Sequence, residues 1–186
     1  MQKRTFWIPA ALGLAAALLI AIAVSGHIPA ESAEKPGAVE ARLQRLEDRE
    51  AIRNLLMDYG RFLDQRNFAA FSQLFSEKEG EWIGGLGKAK GSQAILKLME
   101  DTLGKGSKGT GAANFHLFNN EMISIDGDQA RATTKWTFVV QGEAGQPQPF
   151  YLGHYEDTFV REDGNWKFLR RMAYGDIPAD DPLAKK

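Results

Sequence analysis

The chain has 186 residues, a formal net charge of −1 at neutral pH and no cysteine. That length accommodates one ordinary domain with an extension. The charge gives no electrostatic basis for binding nucleic acid. The lack of cysteine excludes disulfides, a thiol nucleophile and thiolate metal sites.

Residues 1–37 have the pattern of a targeting segment with a linker. Lys3 and Arg4 precede an apolar run over residues 6–24, the order of a positive region and a hydrophobic region. The run is about as long as the ~20 residues that cross a bilayer as a helix. A cleaved secretory signal and an uncleaved inner-membrane anchor therefore both remain open. Either one predicts a periplasmic or secreted domain that meets a membrane only through this segment.

A long amphipathic helix is predicted over residues 38–64. Its apolar residues fall near a 3.6-residue period with charges between them, which predicts one buried face. The side chains assigned to this face are Leu43, Leu46, Leu55, Tyr59 and either Phe62 or Leu63.

Two shorter helices follow, with a strand between them. Asn67 suits the cap of a short second helix, and residues 80–85 predict a short strand. Residues 93–103 form the third helix, which Gly104 ends. The Gly-, Ser- and Lys-rich residues 105–113 predict a flexible loop, either an ordinary surface loop or a lid over a pocket.

The second half of the chain predicts antiparallel strands. Residues 114–140 form two strands around a tight turn at Asp126 and Gly127, because an Asp-Gly pair readily adopts positive φ. Two more strands, at 150–161 and 166–175, are joined by a second Asp-Gly turn. Helices segregated from antiparallel strands make an α+β domain. A long curved sheet of this kind encloses a cavity for a small apolar ligand.

Several motifs that would require a cofactor are missing from the sequence. No glycine-rich phosphate loop joins a strand to a helix, and no Gly-x-Ser-x-Gly nucleophile elbow occurs. Metal-ligand spacing such as His-Glu-x-x-His is missing too. The sequence therefore predicts no cofactor and no metal, which leaves acid–base chemistry or simple binding.

His116 is the best candidate for a general base, because a neutral imidazole titrates near working pH. It needs an acidic partner to orient the ring, and Asp64 at the end of the first helix is suitable. An ordinary core or surface histidine is the alternative. Tyr59 is five residues before Asp64, about 140° around an ideal helix. The two share a cavity only if the pocket wraps the helix end, and Gly60 allows a close approach there.

The order and spacing of several short motifs carry a family resemblance across about residues 46–171. They are Leu-Glu-Asp-Arg-Glu-Ala-Ile at 46–52, Tyr59 with Leu-Asp at 63–64, Glu-Trp at 81–82, Lys-Gly at 90–91, His-x-x-x-Asn from His116 to Asn120 before an Asp-Gly-Asp turn, Gly-His-Tyr-Glu-Asp at 153–157, Arg161, and Gly-Asn-Trp-Lys at 164–167. In this order they resemble the SnoaL-like branch of the NTF2-like superfamily.

The resemblance implies a cone-shaped α+β fold over residues 38–178. A curved antiparallel sheet is wrapped by three N-terminal helices, preceded by the apolar targeting helix and followed by a polar tail at 179–186. It also implies a homodimer formed through the outer face of the sheet.

Members similar to hexachlorocyclohexane dehydrochlorinase and bile-acid dehydratase use an Asp–His dyad for elimination. The matching positions here are Asp64 and His116, and Tyr59 matches the tyrosine of the dehydratase type. That type also uses an arginine late in the fold, at Arg170 or Arg171.

Further residues are expected to line or contact the ligand. Strand alternation places only one of His154 and Tyr155 in the cavity, and we expect His154 outside. Alternation with Trp166 and Phe168 places Arg170 on their face. The expected wall and binding residues are Trp82, Asn120, Phe118, Trp136, Tyr155 and Arg170.

Two functions remain open at this stage. The first is a cofactor-independent lyase or isomerase acting on a small apolar molecule with an acidic C–H bond. The second is a non-catalytic ligand-binding or protein-interaction module with the same cavity. The distance between His116 and Asp64 discriminates between them.

Overall fold

The computed structural model describes residues 37–104, 114–180 and 182. The helices are α1 (Ala38–Asp64), α2 (Phe68–Ser72) and α3 (Ser92–Leu103). The strands are β1 (Glu81–Gly84), β2 (Gly87–Lys90), β3 (Asn114–Asp126), β4 (Gln129–Gln141), β5 (Pro147–Glu162), β6 (Asn165–Ile177) and β7 (Ala179–Asp180). The three predicted helices are therefore present, and the bounds of α1 agree with the prediction.

Two predicted segments lie outside the described residues. They are the apolar targeting segment, of whose predicted range only Gly37 is described, and the loop at 105–113. Within the described ranges, no helix combines the length and the apolar character needed to cross a membrane.

The strands form one open, curved sheet in the order β2-β1-β6-β5-β4-β3, and β7 pairs with β6. Neighbouring strands are antiparallel except β1 and β6, which are parallel. This corrects the expectation of a wholly antiparallel sheet. Because β1 and β6 are far apart in the chain, no hairpin sets their relative direction. With α1 packed on β3 and β6, the architecture is α+β, as predicted.

The buried face of α1 differs from the predicted one in its first half. Leu43 and Leu46 are 54% and 65% exposed. The buried residues of the helix are Asp48, Ile52, Leu56, Tyr59 and Gly60. Their spacing is helical, but the face begins at a carboxylate. A search for periodic apolar residues therefore misses where it starts.

The two hairpin turns are set by residues with positive φ. The turn between β3 and β4 has Gly127 and Asp128 at its centre, one residue later than predicted, and only Gly127 there has positive φ, at 56°. A turn with glycine first has this geometry. The turn between β5 and β6 has Asp163 and Gly164 at its centre, both with positive φ, as predicted.

Two short strands were not predicted. β2 has the sequence Gly-Lys-Ala-Lys, which lacks the β-branched and aromatic residues typical of strands. β7 lies within residues 179–186, which were predicted to be a polar tail. Each strand exists because a longer neighbour offers it hydrogen bonds, β1 for β2 and β6 for β7.

The carboxylate of Asp48 ties α1 to the β5–β6 hairpin. Its Oδ1 accepts hydrogen bonds from Arg161 Nη2 at 2.6 Å, Trp166 Nε1 at 3.2 Å and Gln44 Nε2 at 3.1 Å. Burial alone would raise the pKa of Asp48, but these hydrogen bonds together outweigh burial and lower the pKa. The ionised carboxylate therefore stabilises the folded state.

Gly60 allows β3 to approach α1 closely, as the sequence suggested. An added Cβ at Gly60 would overlap the ring of Phe118. That ring also packs beside Tyr59, with 6.5 Å between ring centres. Helix and sheet therefore approach closely where Tyr59 enters the interior.

We expect Asp48→Asn to lower the free energy of unfolding by about 2 kcal/mol at neutral pH, the range for hydrogen bonds to a charged group. The folded-state pKa of Asp48 lies below its ordinary value of 3.8. The wild-type advantage is therefore complete above that ordinary value and is lost as the pH falls through the folded-state pKa. Urea unfolding of both proteins from about pH 7 to about pH 3 measures this. A difference that stays constant over the range would contradict the prediction.

We expect Gly60→Ala to destabilise the protein by about 1–3 kcal/mol, because the new methyl group overpacks against Phe118. Elsewhere in a helix the same change stabilises by about 1 kcal/mol. Urea unfolding measures the sign. In a Phe118→Ala background the substitution should stabilise, which makes that double variant the matched control. A gain in stability from Gly60→Ala alone would show that the contact is not tight.

Candidate functional site

A cavity of about 390 Å³ lies between the C-terminal half of α1, β1 and the inner face of the sheet. Aromatic side chains make up a large part of its wall. The aromatic lining consists of Tyr59, Trp82, Trp136, Phe138, Phe150, Tyr151 and Tyr155. The polar lining includes Asn114, His116, Arg66 and Asp180.

A pair of glycines shapes one wall of the cavity. Gly153 of β5 pairs with Gly175 of β6. An added Cβ at Gly153 would overlap the ring of Trp136, and one at Gly175 would overlap the ring of Tyr151. These two rings stack at 5.6 Å with an interplanar angle of 5°. Because both glycines lack side chains, the rings lie flat over the sheet.

Asp64 and His116 meet at the edge of this cavity. Asp64 Oδ1 lies 2.6 Å from His116 Nδ1 and accepts a hydrogen bond from Asn114 Nδ2 at 3.0 Å. Asp64 Oδ2 accepts from the backbone N–H of His116 at 2.9 Å. The carboxylate therefore holds both the backbone and the ring of His116. The side chain of Asp64 is 17% exposed and that of His116 is 13% exposed.

The contact through Nδ1 determines what the other ring nitrogen of His116 can do. With Nδ1–H directed to the carboxylate, neutral imidazole carries its lone pair on Nε2. Among the described residues, none hydrogen-bonds to Nε2. The ring packs on Phe138 at 4.7 Å between ring centres, and His116 lines the cavity. Nε2 is thus the nitrogen left to act on a ligand.

Tyr59 presents the second polar group of the cavity. Its hydroxyl oxygen accepts a hydrogen bond from Trp82 Nε1 at 2.9 Å and also shares one with Tyr155. Burial raises the pKa of Tyr59, and the nearby Arg171 guanidinium opposes this without reversing it. The hydroxyl therefore stays protonated.

Arg171 lies directly behind Tyr59 and Tyr155. Its guanidinium carbon is 3.9 Å and 4.0 Å from the centres of those two rings. Asp157 receives two hydrogen bonds from Arg171, both at 2.7 Å, and both residues are buried. The ion pair fixes the two tyrosines through cation–π contacts. Arg171 itself does not line the cavity.

An extra residue in β6 turns Arg171 inward. Leu169 has no partner on β5, which shifts the pairing between Phe168 and Arg170. Strand alternation breaks at such a bulge. The Arg170 side chain is 43% exposed and contacts Glu81 at 3.5 Å. This corrects the expectation that Arg170 faces the cavity with Phe168.

A bulge in β3 removes Asn120 from the cavity. Asn120 has a φ of 53°, and the pairing shifts between Asn119 and Met122. Its side chain is exposed and does not line the cavity, in contrast to the expected role in binding. Asn120 contributes a backbone conformation, since asparagine tolerates positive φ.

The remaining predicted residues are placed as follows. Trp82, Trp136 and Tyr155 line the cavity. Phe118 does not; it packs beside His116, with 6.3 Å between ring centres. His154 faces outward, as predicted, and its Nδ1 lies 2.8 Å from an oxygen of Asp176.

Sequence reasoning missed four polar residues: Asn114, Arg66 and Asp180 line the cavity, and Asp157 binds Arg171 behind its tyrosines. Asn114 lies two positions before His116, so strand alternation alone places it on the same face. Asp157 alternates with Tyr155 in the same way, and a carboxylate on an inward position demands a cation. No local signal identifies Arg66, which follows the end of α1.

The comparisons with known proteins agree with this fold. The model of the SnoaL-like domain matches residues 44–172. The chain is 27% identical to the uncharacterized protein Rv2910c of Mycobacterium tuberculosis over 133 residues, which are 68% of this chain and 84% of that protein.

Solved structures give the same result. An NTF2-like protein with a cystatin-like fold from Novosphingobium aromaticivorans is 27% identical, with a TM-score of 0.66 over 80% of this chain and 90% of its own. LinA is 24% identical, with a TM-score of 0.62 over 78% and 95% of the two chains. The match to the family model covers more than half of the sequence, and the chain therefore belongs to the SnoaL-like domain family, with an NTF2-like fold.

Proposed function

We propose that this protein is a cofactor-independent lyase of the dehydratase type, or an isomerase, that removes a proton from carbon in a small, mainly apolar molecule. The 2.6 Å contact between Asp64 and His116 at the edge of an aromatic cavity carries this proposal. A carboxylate on one imidazole nitrogen and a ligand space at the other is the arrangement of a general base.

Three side chains take part in the proposed reaction. His116 Nε2 takes the proton from carbon, and the C–H electron pair moves into a new double bond. Asp64 stabilises the imidazolium that forms. In a lyase the leaving group departs with its own electron pair, and the Tyr59 hydroxyl donates a hydrogen bond to the departing oxygen. In an isomerase the same proton returns from His116 to another carbon.

The aromatic wall favours this chemistry in two ways. It limits contact between a bound ligand and water, which strengthens the interaction of Tyr59 and His116 with charge that develops on the ligand. It also binds the apolar body of a substrate, which holds the reacting carbon near the base. The family resemblance, in which matching Asp and His positions act in elimination, supports the same assignment.

The proposal extends to location and assembly. A charge-flanked apolar run at residues 6–24 supports export to the periplasm, with or without an inner-membrane anchor. A homodimer through the outer face of the sheet is supported by exposed apolar side chains there. Phe115 and Leu117 are 60% and 54% exposed.

We expect the protein to catalyse ring opening of 5-nitrobenzisoxazole, a general probe of proton abstraction from carbon. His116→Gln should remove this activity, because glutamine preserves approximate size but is not a base. Asp64→Asn should reduce kcat/KM by about 10²–10⁴-fold, the range for general-base catalysis. Phenolate absorbance measures the rate, and circular dichroism checks folding. His154→Gln, outside the cavity, is the matched control. Equal rates for wild type and His116→Gln would refute the base and favour the non-catalytic binding module.

We expect Tyr59→Phe to lower the same rate by about tenfold, the effect of losing one hydrogen bond to a developing charge. The loss should be larger for benzisoxazole without the nitro group, because its phenolate is a poorer leaving group and needs the donor more. The two rates are measured with the wild type and the variant side by side. An identical loss for both probes would assign Tyr59 to packing.

A further inference from the structure

The joint between α1 and α2 contains an arginine in a backbone conformation that favours glycine. Arg66 has a φ of 57°. Its N–H bonds to the carbonyl of Leu63 at 3.1 Å, and the N–H of Asn67 bonds to that of Phe62 at 2.8 Å. This pair of bonds is the common helix ending in which glycine usually holds the left-handed position. A residue with a side chain costs about 1 kcal/mol more there. Arginine therefore occupies this position although the backbone conformation there is unfavourable for a residue with a side chain.

The side chain of Arg66 reaches the cavity. It is half-buried and is the one Lys or Arg among the described residues that line the space. Its Nη1 donates to the carbonyl of Leu103 at 2.8 Å, at the end of α3. The guanidinium has five N–H donors, and within the described ranges only this one has a partner.

We propose that Arg66 binds a carboxylate group of the ligand, so the substrate is a small organic acid with an apolar body. This inference deepens the proposed function and rests on it for the role of His116. A guanidinium presents paired donors that match the two oxygens of a carboxylate, and such pairs are strong where water is excluded. The single bond to Leu103 holds the fork in place without occupying it.

The position of Arg66 in the chain limits where the reacting carbon lies. Asp64 is two residues earlier and holds His116 by two hydrogen bonds, with a third from Asn114. Arg66 and His116 both line the cavity, and their backbones are connected through the end of α1. We therefore expect the C–H bond that is broken to be within a few bonds of the carboxylate, with the apolar body against Trp136 and Tyr155.

The described lining of the cavity also includes an acidic side chain. Asp180 of β7 also lines the cavity and carries the opposite charge. Among the described lining residues the charges of Arg66 and Asp180 offset each other, so an anion there gains mainly by direct contact with the guanidinium. Asp180→Asn should strengthen carboxylate binding, because it removes a negative charge from the lining.

Arg66→Gly is a clean test, because glycine relaxes the backbone at this φ. The probes are 2-naphthoate and 2-naphthamide, which have nearly the same shape and differ in charge. Quenching of tryptophan fluorescence reports binding, since Trp82 and Trp136 line the cavity. We expect the wild type to bind naphthoate at least tenfold more tightly than naphthamide. In Arg66→Gly the preference should disappear. The variant should remain folded, which measurement of its free energy of unfolding checks. Arg66→Lys should keep part of the preference, because it retains the charge and loses the fork.

Equal affinity of the wild type for the two probes, binding of neither, or a preference that survives in Arg66→Gly would overturn the inference. His116→Gln separates this result from the proposed function. That variant should keep the preference for naphthoate while it loses proton abstraction. A lost preference in Arg66→Gly with an inactive wild type would leave an anion-binding site and refute the enzyme.

Discussion

The site depends on the hydrogen bonds that the carboxylate of Asp64 accepts. Asp64 ends α1 and accepts three hydrogen bonds from the start of β3, one from Asn114 and two from His116. A buried acceptor must find donors, and here the donors include the ring whose orientation matters. One interaction therefore attaches the helix to the sheet and directs the free nitrogen of the imidazole. Structure and proposed chemistry cannot be separated at this residue.

A second buried charge supports the opposite side of the cavity. Arg171 and Asp157 form a buried ion pair joined by two hydrogen bonds. A buried ion pair of this kind is tolerated because each charge has its partner within hydrogen-bond distance. The guanidinium packs against the rings of Tyr59 and Tyr155. The cation thus acts on the cavity through the tyrosines in front of it. Trp82 completes this frame by its hydrogen bond to Tyr59.

Much of the fold follows from local chemistry that the sequence displays. The bounds of α1, the cap at Asn67 and the turn at Asp163 and Gly164 were predicted correctly. Each depends on neighbouring residues only. The parallel pairing of β1 with β6 was not predictable in this way, since it joins segments about ninety residues apart. The short strands β2 and β7 also form only because longer strands lie beside them.

The sequence by itself determined the α+β class, through the order of its predicted elements. The order and spacing of its motifs indicated the family and suggested Asp64 and His116 as a pair. Only the tertiary structure decided which arginine turns inward and where Asn120 points. The physical reason is the β-bulge: one extra residue reverses strand alternation for everything after it. The local sequence does not show which residue of a strand is the extra residue of a bulge. The position of Arg66 at the cavity, likewise, exists only once α1, α2 and α3 have packed together.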